Sequence, residues 1–269
     1  MNPRPIGVFD SGVGGLTVFR AMQRALPGER LIYLGDTARV PYGTKSVDTV
    51  MRYSLEATRF LLQQQVKMIV VACNSASSVA IDRVESAAGV PVLGVIEPGA
   101  RRGAEQSTSG RIGIIGTRAT VGSGAYEKAV RRIKPGAQVT SRPCPLFVPL
   151  AEEGWTDDEI ARAVAERYLS PFRRAEVDTL VLGCTHYPLL HDVIAQVMGA
   201  GVALVDSAES IAAEVQRRLR DDACLIGEGS GADGHRFYVT DVPEPFQAVA
   251  ERFLGRPIRN LERVRIEGD

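Results

Sequence analysis

Two cysteines in this sequence follow apolar runs and precede helix signals: Cys73 in VVACNS and Cys184 in VLGCTHYP. A thiol where a strand gives way to a helix feels the positive end of the helix dipole, which lowers its pKa and enriches the thiolate. Asn74, Ser75 and Thr185 stand beside the two sulfurs and offer hydrogen bonds to a carboxylate or an amino group. His186 can orient Cys184 or assist it in proton transfer. Two thiols in matching positions suggest inversion of a stereocentre that bears an acidic C–H. One sulfur takes the proton from one face, the other returns a proton to the opposite face, and the roles exchange in the reverse direction.

A third stretch, DSGVGG at Asp10 to Gly15, joins a strand to a helix. Glycine-rich turns at such places aim backbone N–H groups at an anion. The stretch fits neither GxGxxG nor GxxxxGK[ST], so a carboxylate is a better candidate than a phosphate. Asp10 is open to two readings, a helix N-cap or a catalytic carboxylate near a thiol. His191 and His235 read as structural. Cys144 and Cys224 read as buried small hydrophobes, the usual fate of a free cysteine. Trp155 and the Pro41-Tyr42-Gly43 stretch fit either the core or a lid.

The elements that must position these residues are those of an α/β fold. Apolar strand candidates cover residues 6–9, 30–35, 68–73, 91–96, 111–116, 179–184 and 203–206, with helix-period segments such as VDTVMRYSLEATRFLLQQQV and DDEIARAVAERYLSPFRRA between them. Continuous apolar strands joined by helices predict a parallel sheet covered on both faces. The chain also repeats itself. Ile6 recurs as Ile112, Cys73 as Cys184 and Val92 as Val202, at offsets of 106 to 111 residues. The expected architecture is therefore two similar doubly wound lobes related by internal pseudo-symmetry, each giving one thiol to a cleft at its strand ends. Residues 1–97 with 207–269 form the first lobe and 98–206 the second. The tail, with strand-like RFYVTD and VRIE around helix-like PEPFQAVAERFLG, packs back onto the first.

Charge is balanced, 32 basic against 32 acidic residues. That removes the electrostatic reason to expect nucleic acid or an anionic membrane as a partner. No apolar stretch approaches a membrane span or a signal peptide, and four cysteines without a CxxC pair argue against disulfides and zinc. A cytoplasmic protein acting on a small polar substrate is expected.

IGVFDSGVGGLTV, YLGDTARVPYGTKS, VVACNSASSVA, GVIEPGA, IGTRATVGSGAY and LVLGCTHYPLL together resemble the glutamate racemases over essentially the whole chain. The resemblance implies interconversion of L- and D-glutamate without a cofactor or metal, supply of D-glutamate for bacterial peptidoglycan, and a homodimer. It implies that Cys73 acts toward the D-enantiomer and Cys184 toward the L-enantiomer, with Asp10, His186 and Glu152 as auxiliary groups. Ser11, Pro41, Tyr42, Gly43, Asn74, Ser75, Thr117, Thr120 and Thr185 match substrate contacts. Ser75 stands where the family more often has threonine, which keeps the hydroxyl. The N-terminal extension of members activated by a peptidoglycan precursor is missing, which points away from that regulation. Three rivals are an aspartate racemase, which His186 disfavours; a thiol hydrolase built on Cys184 and His186, which leaves Cys73 idle; and a phosphate-binding module built on DSGVGG.

Overall fold

The computed structural model describes residues 2–222, 234–242 and 246–266; Cys224, Pro243 to Pro245 and Glu267 lie outside them. Among the described residues, ten strands form two sheets, and every strand pairing is parallel. The larger sheet contains β1 (Ile6–Asp10), β2 (Leu31–Gly35), β3 (Met68–Val71), β4 (Val92–Gly94), β9 (Arg236–Val239) and β10 (Leu261–Arg263), in the order β10-β9-β2-β1-β3-β4. The smaller contains β5 (Arg111–Gly116), β6 (Gln138–Pro143), β7 (Thr179–Gly183) and β8 (Ala203–Asp206), in the order β6-β5-β7-β8. The run β2-β1-β3-β4 thus has the same order as β6-β5-β7-β8. Central strands β1, β3 and β7 are buried along their whole length, as a sheet covered on both faces requires.

One strand escaped the sequence reading. β6, QVTSRP, has no apolar run, because it is a part-exposed edge strand. It is nevertheless the counterpart of β2 in the order of the smaller sheet. At the tail, β9 pairs with β2, and the final strand is β10, Leu261–Arg263, three residues ahead of the VRIE stretch.

Helix signals worked where a side chain caps the first turn. Ser46 accepts from the Thr49 amide to start Val47–Gln63, and Asp158 accepts from Ala161 to start Glu159–Arg174. The helix Ser207–Asp221, capped by Asp206, follows β8 but packs against Leu16–Ala25 of the larger sheet. Among the described residues, no helix is long and apolar enough to cross a membrane.

The loop after β2 is anchored by a buried carboxylate. Asp36 accepts from Tyr42 Oη at 2.5 Å, Arg39 Nε at 2.7 Å and Thr240 Oγ1 at 2.9 Å. Arg39 also pairs with Glu56 and lies 3.9 Å over the Tyr53 ring. Asp36→Ala would strand the buried Tyr42 hydroxyl and weaken the hold on Arg39. We expect a loss of about 3 kcal/mol in chemical denaturation, with a raised KM because the loop carries Tyr42 and Gly43. An unchanged denaturation midpoint would show that the loop is held by other contacts.

Candidate active site

Cys73 lies two residues beyond β3 and is the N-cap of the helix Asn74–Val79. Cys184 follows β7 directly and precedes a short 3₁₀ turn, Tyr187–Leu190, that leads into His191–Met198. Both sulfurs belong to residues only 5% exposed, and both line one cavity of about 190 Å³. The two thiols therefore meet at a common space, from the equivalent strand ends of the two sheets.

Ser11, Pro41, Tyr42, Gly43, Asn74, Ser75, Thr117, Thr185 and His186 line the same cavity. Hydroxyls from the two sheets interlock there: Ser75 Oγ lies 2.9 Å from Thr117 Oγ1, and Thr117 Oγ1 lies 3.0 Å from Thr120 Oγ1. Thr120 stands behind Thr117 and off the cavity wall. Tyr42 presents its ring only, since its hydroxyl is spent on Asp36. Asn74 is held from the other lobe: Tyr126 Oη donates to its Oδ1 at 2.7 Å. Tyr126 was legible only as part of the IGTRATVGSGAY stretch, with no signal for this contact.

The two thiols sit in different surroundings. Cys73 Sγ lies 3.6 Å from Ser11 Oγ. Burial, and secondarily the charge of Asp10, push its pKa up to about 12. This reverses the expectation from the helix dipole: desolvation of a buried thiolate outweighs the field of a helix only six residues long. Cys184 Sγ lies 3.8 Å from His186 Nδ1, and His186 Nε2 lies 2.9 Å from Glu152 Oε1. Burial alone would lower the His186 pKa; the hydrogen bonds to Cys184 and Glu152 overcome it and raise the value to about 10. Glu152 is off the cavity wall and acts through His186. The tail supports this pair, with Phe253 edge-on to the imidazole at 5.0 Å and Arg252 donating to the Glu152 carbonyl.

Asp10 also stands behind the wall. Its Oδ2 accepts from the Gly12 amide at 3.0 Å, while Oδ1 is buried with no hydrogen-bond partner. Burial raises its pKa, partly countered by His186 and by backbone N–H groups. It is not the helix cap: that position belongs to Gly15, which makes no side-chain hydrogen bond. Nor is DSGVGG an anion cradle, because only Ser11 of the stretch reaches the cavity. Its glycines serve close packing instead, with Gly35 and Asp10 on one side and Thr185 and His186 on the other.

Sequence reasoning left out Thr44, Arg118, Pro145, Val148 and Pro149 from the cavity wall. Trp155 is 47% exposed and part of no core. His191 is exposed beside Asp192; His235 is buried, its Nδ1 accepting from the Leu31 amide. Cys144 is fully buried. Among the described residues no cluster of His, Cys, Asp and Glu side chains could hold a metal ion.

This arrangement is shared with known proteins. Residues 6–215 match the family described as Asp/Glu/Hydantoin racemase. The chain belongs to that family. It is 54% identical to the glutamate racemase of Geobacter metallireducens over 266 residues, 99% of this chain and 98% of that protein. Among solved structures, it is similar to glutamate racemase from Francisella tularensis in complex with D-glutamate, with TM-score 0.92, 39% identity and 99% of each chain covered. The glutamate racemase from Thermus thermophilus in complex with beta-chloro-D-alanine aligns at TM-score 0.88 and 49% identity over 98% of each chain. An α/β racemase with two parallel sheets is thus the frame for the chemistry.

The Glu152–His186 pair sets a testable pH dependence. Glu152→Gln removes a charge and a strong acceptor while leaving the burial that lowers the His186 pKa. The imidazolium should therefore lose its proton well below pH 10, and the alkaline limb of kcat/KM should move toward neutrality. The stability term has a defined sign as well. A histidine whose folded pKa lies above the unfolded value of about 6.5 stabilises fully below that pH, and this contribution disappears as pH rises through about 10. Denaturation midpoints of the native protein should fall across that window, and those of Glu152→Gln should fall less. Coincident pH profiles for the two proteins would remove Glu152 from the argument.

Proposed function

We propose that this chain interconverts L- and D-glutamate by a two-base mechanism in which Cys73 and Cys184 are the acid and base. The observation that carries the proposal is one small cavity walled by two thiols from topologically equivalent strand ends. The high identity to proteins named glutamate racemase supports glutamate as the substrate.

In the L-to-D direction, the Cys184 thiolate takes the α-proton and Cys73 delivers one to the opposite face. A Cys73 pKa near 12 suits that second role, since it keeps the sulfur protonated until the carbanion forms. His186, held by Glu152, donates toward Cys184 Sγ and so steers its lone pairs. Asp10, behind the wall and close enough to raise the Cys73 pKa, acts on that thiol through its charge. A substrate ammonium in the cavity would offset that charge and ease ionisation of Cys73 for the reverse direction. The hydroxyls of Ser11, Ser75, Thr117 and Thr185 and the amide of Asn74 seat the carboxylates.

The same reading assigns residues 1–97 with 207–269 to one lobe and 98–206 to the other, supported by the packing of Ser207–Asp221 on Leu16–Ala25. It places the enzyme in the cytoplasm as a homodimer that supplies D-glutamate for peptidoglycan. The deciding experiment incubates the purified protein with L-glutamate in heavy water and no added cofactor, and follows optical activity and deuterium content. D-glutamate carrying deuterium at the α position is expected, with a bell-shaped dependence of kcat/KM on pH. Product that retains its original hydrogen would exclude the two-base route, and turnover of aspartate in preference to glutamate would reassign the substrate.

A further inference from the structure

Among the described residues the cavity wall carries two basic side chains, His186 and Arg118, and no carboxylate; Asp10 and Glu152 both lie off that wall. Arg118 is the first residue of the helix Arg118–Gly122, directly after Thr117, whose own Oγ1 caps that helix and faces Ser75. Its side chain is exposed, and among the described residues it has no ion pair or hydrogen bond. Some surface arginines are engaged, as in Arg24–Glu209 and Arg132–Glu97, and others such as Arg83 and Arg167 are exposed without a partner among the described residues; Arg118 differs from these in standing on the cavity wall. The remaining wall at the same cavity includes Pro41, Pro145, Val148 and Pro149, which offer nothing to compete for a guanidinium. Low-dielectric walls around an unpaired charge focus its field into the opening, and a guanidinium binds a carboxylate through two parallel hydrogen bonds.

We propose that Arg118 is the capture residue of this cavity: it draws in the dicarboxylate and pairs with one carboxylate as the other end reaches the two sulfurs. This rests on the proposed turnover of glutamate and adds to it a group outside the set of residues matched to known substrate contacts. It also gives the cavity a preference for a diacid over an amino acid with an uncharged side chain.

The test compares the native enzyme with Arg118→Gln and Arg118→Lys, measuring kcat and KM for L-glutamate from low to high sodium chloride, with thermal melting as a check on folding. Because the side chain is exposed, melting should not change. Arg118→Gln should lose about tenfold in kcat/KM at low salt, chiefly through KM, and lose most of the salt dependence that the native enzyme shows. Arg118→Lys should keep that dependence. Equal salt dependence in the native and Gln forms, or a loss confined to kcat, would overturn the capture role while leaving racemisation intact. A native enzyme that does not racemise glutamate at all would instead remove the functional reading, and this inference with it.

Discussion

Cys73→Ser and Cys184→Ser are each expected to lower glutamate racemisation by at least about 10³-fold, roughly 4 kcal/mol of transition-state stabilisation. The reason is the position of the two sulfurs on one small cavity from opposite sheets. Inversion needs a proton removed on one face and another supplied on the other, so no single group can substitute for both. A serine hydroxyl is too weak an acid to be ionised near neutral pH, and both residues are nearly buried, which disfavours an alkoxide further. The two variants should differ in one informative respect. Deprotonation on a given face needs only the thiol on that face, so Cys73→Ser should still exchange the α-hydrogen of L-glutamate with solvent, and Cys184→Ser that of D-glutamate. A single-nucleophile enzyme built on Cys184 and His186 predicts otherwise: full activity without Cys73. Racemisation by Cys73→Ser above a tenth of the native rate would sink the two-base proposal.

Much of this frame could be read before any coordinates, for physical reasons that also explain what could not. Strands β1, β3, β5 and β7 are buried on both faces, so their apolar runs are unbroken and their ends fall near the expected residues. The edge strand β6 is partly wet, needs no such run, and left no signal in the sequence. Residues adjacent in sequence to a thiol, such as Asn74, Thr185 and His186, were legible because a strand end carries them to the cavity together. What holds them was not. Tyr126 reaches Asn74 across 52 residues, Arg252 reaches Glu152 across 100, and Thr240 reaches Asp36 across 204. No local pattern encodes pairings of that range. The sign of the Cys73 shift was misjudged for a related reason: a helix N-terminus can be seen in sequence, while the degree of desolvation depends on both lobes closing around the sulfur.

Gly14→Ala should be nearly as damaging as loss of a thiol, although Gly14 does not line the cavity of the two thiols and its φ is not in the left-handed region. A Cβ on Gly14 would lie 2.3 Å from Thr185 Oγ1 and 2.5 Å from His186 Nδ1 and Cε1. Contacts that short do not occur, so one side must move. The glycine side is pinned, because Thr17 Oγ1, on the second residue of the following helix, shares its hydrogen between the carbonyls of Gly14 and Thr185, each 2.9 Å away. A shifted imidazole would leave its position 2.9 Å from Glu152 and 3.8 Å from the Cys184 sulfur. A displacement near 1 Å at a proton-transfer group costs about 10²-fold, whereas overpacking a tight contact costs about 1–3 kcal/mol of stability. The expected result is therefore a folded protein with kcat/KM reduced at least about 10²-fold, and an alkaline limb altered along with the His186 environment. Gly122→Ala supplies the control, since a Cβ there meets nothing within 4 Å and should change little. Native-like kcat in Gly14→Ala would mean that the two loops part at little cost, and that the placement of His186 against Cys184 is not set by the glycine-rich turn.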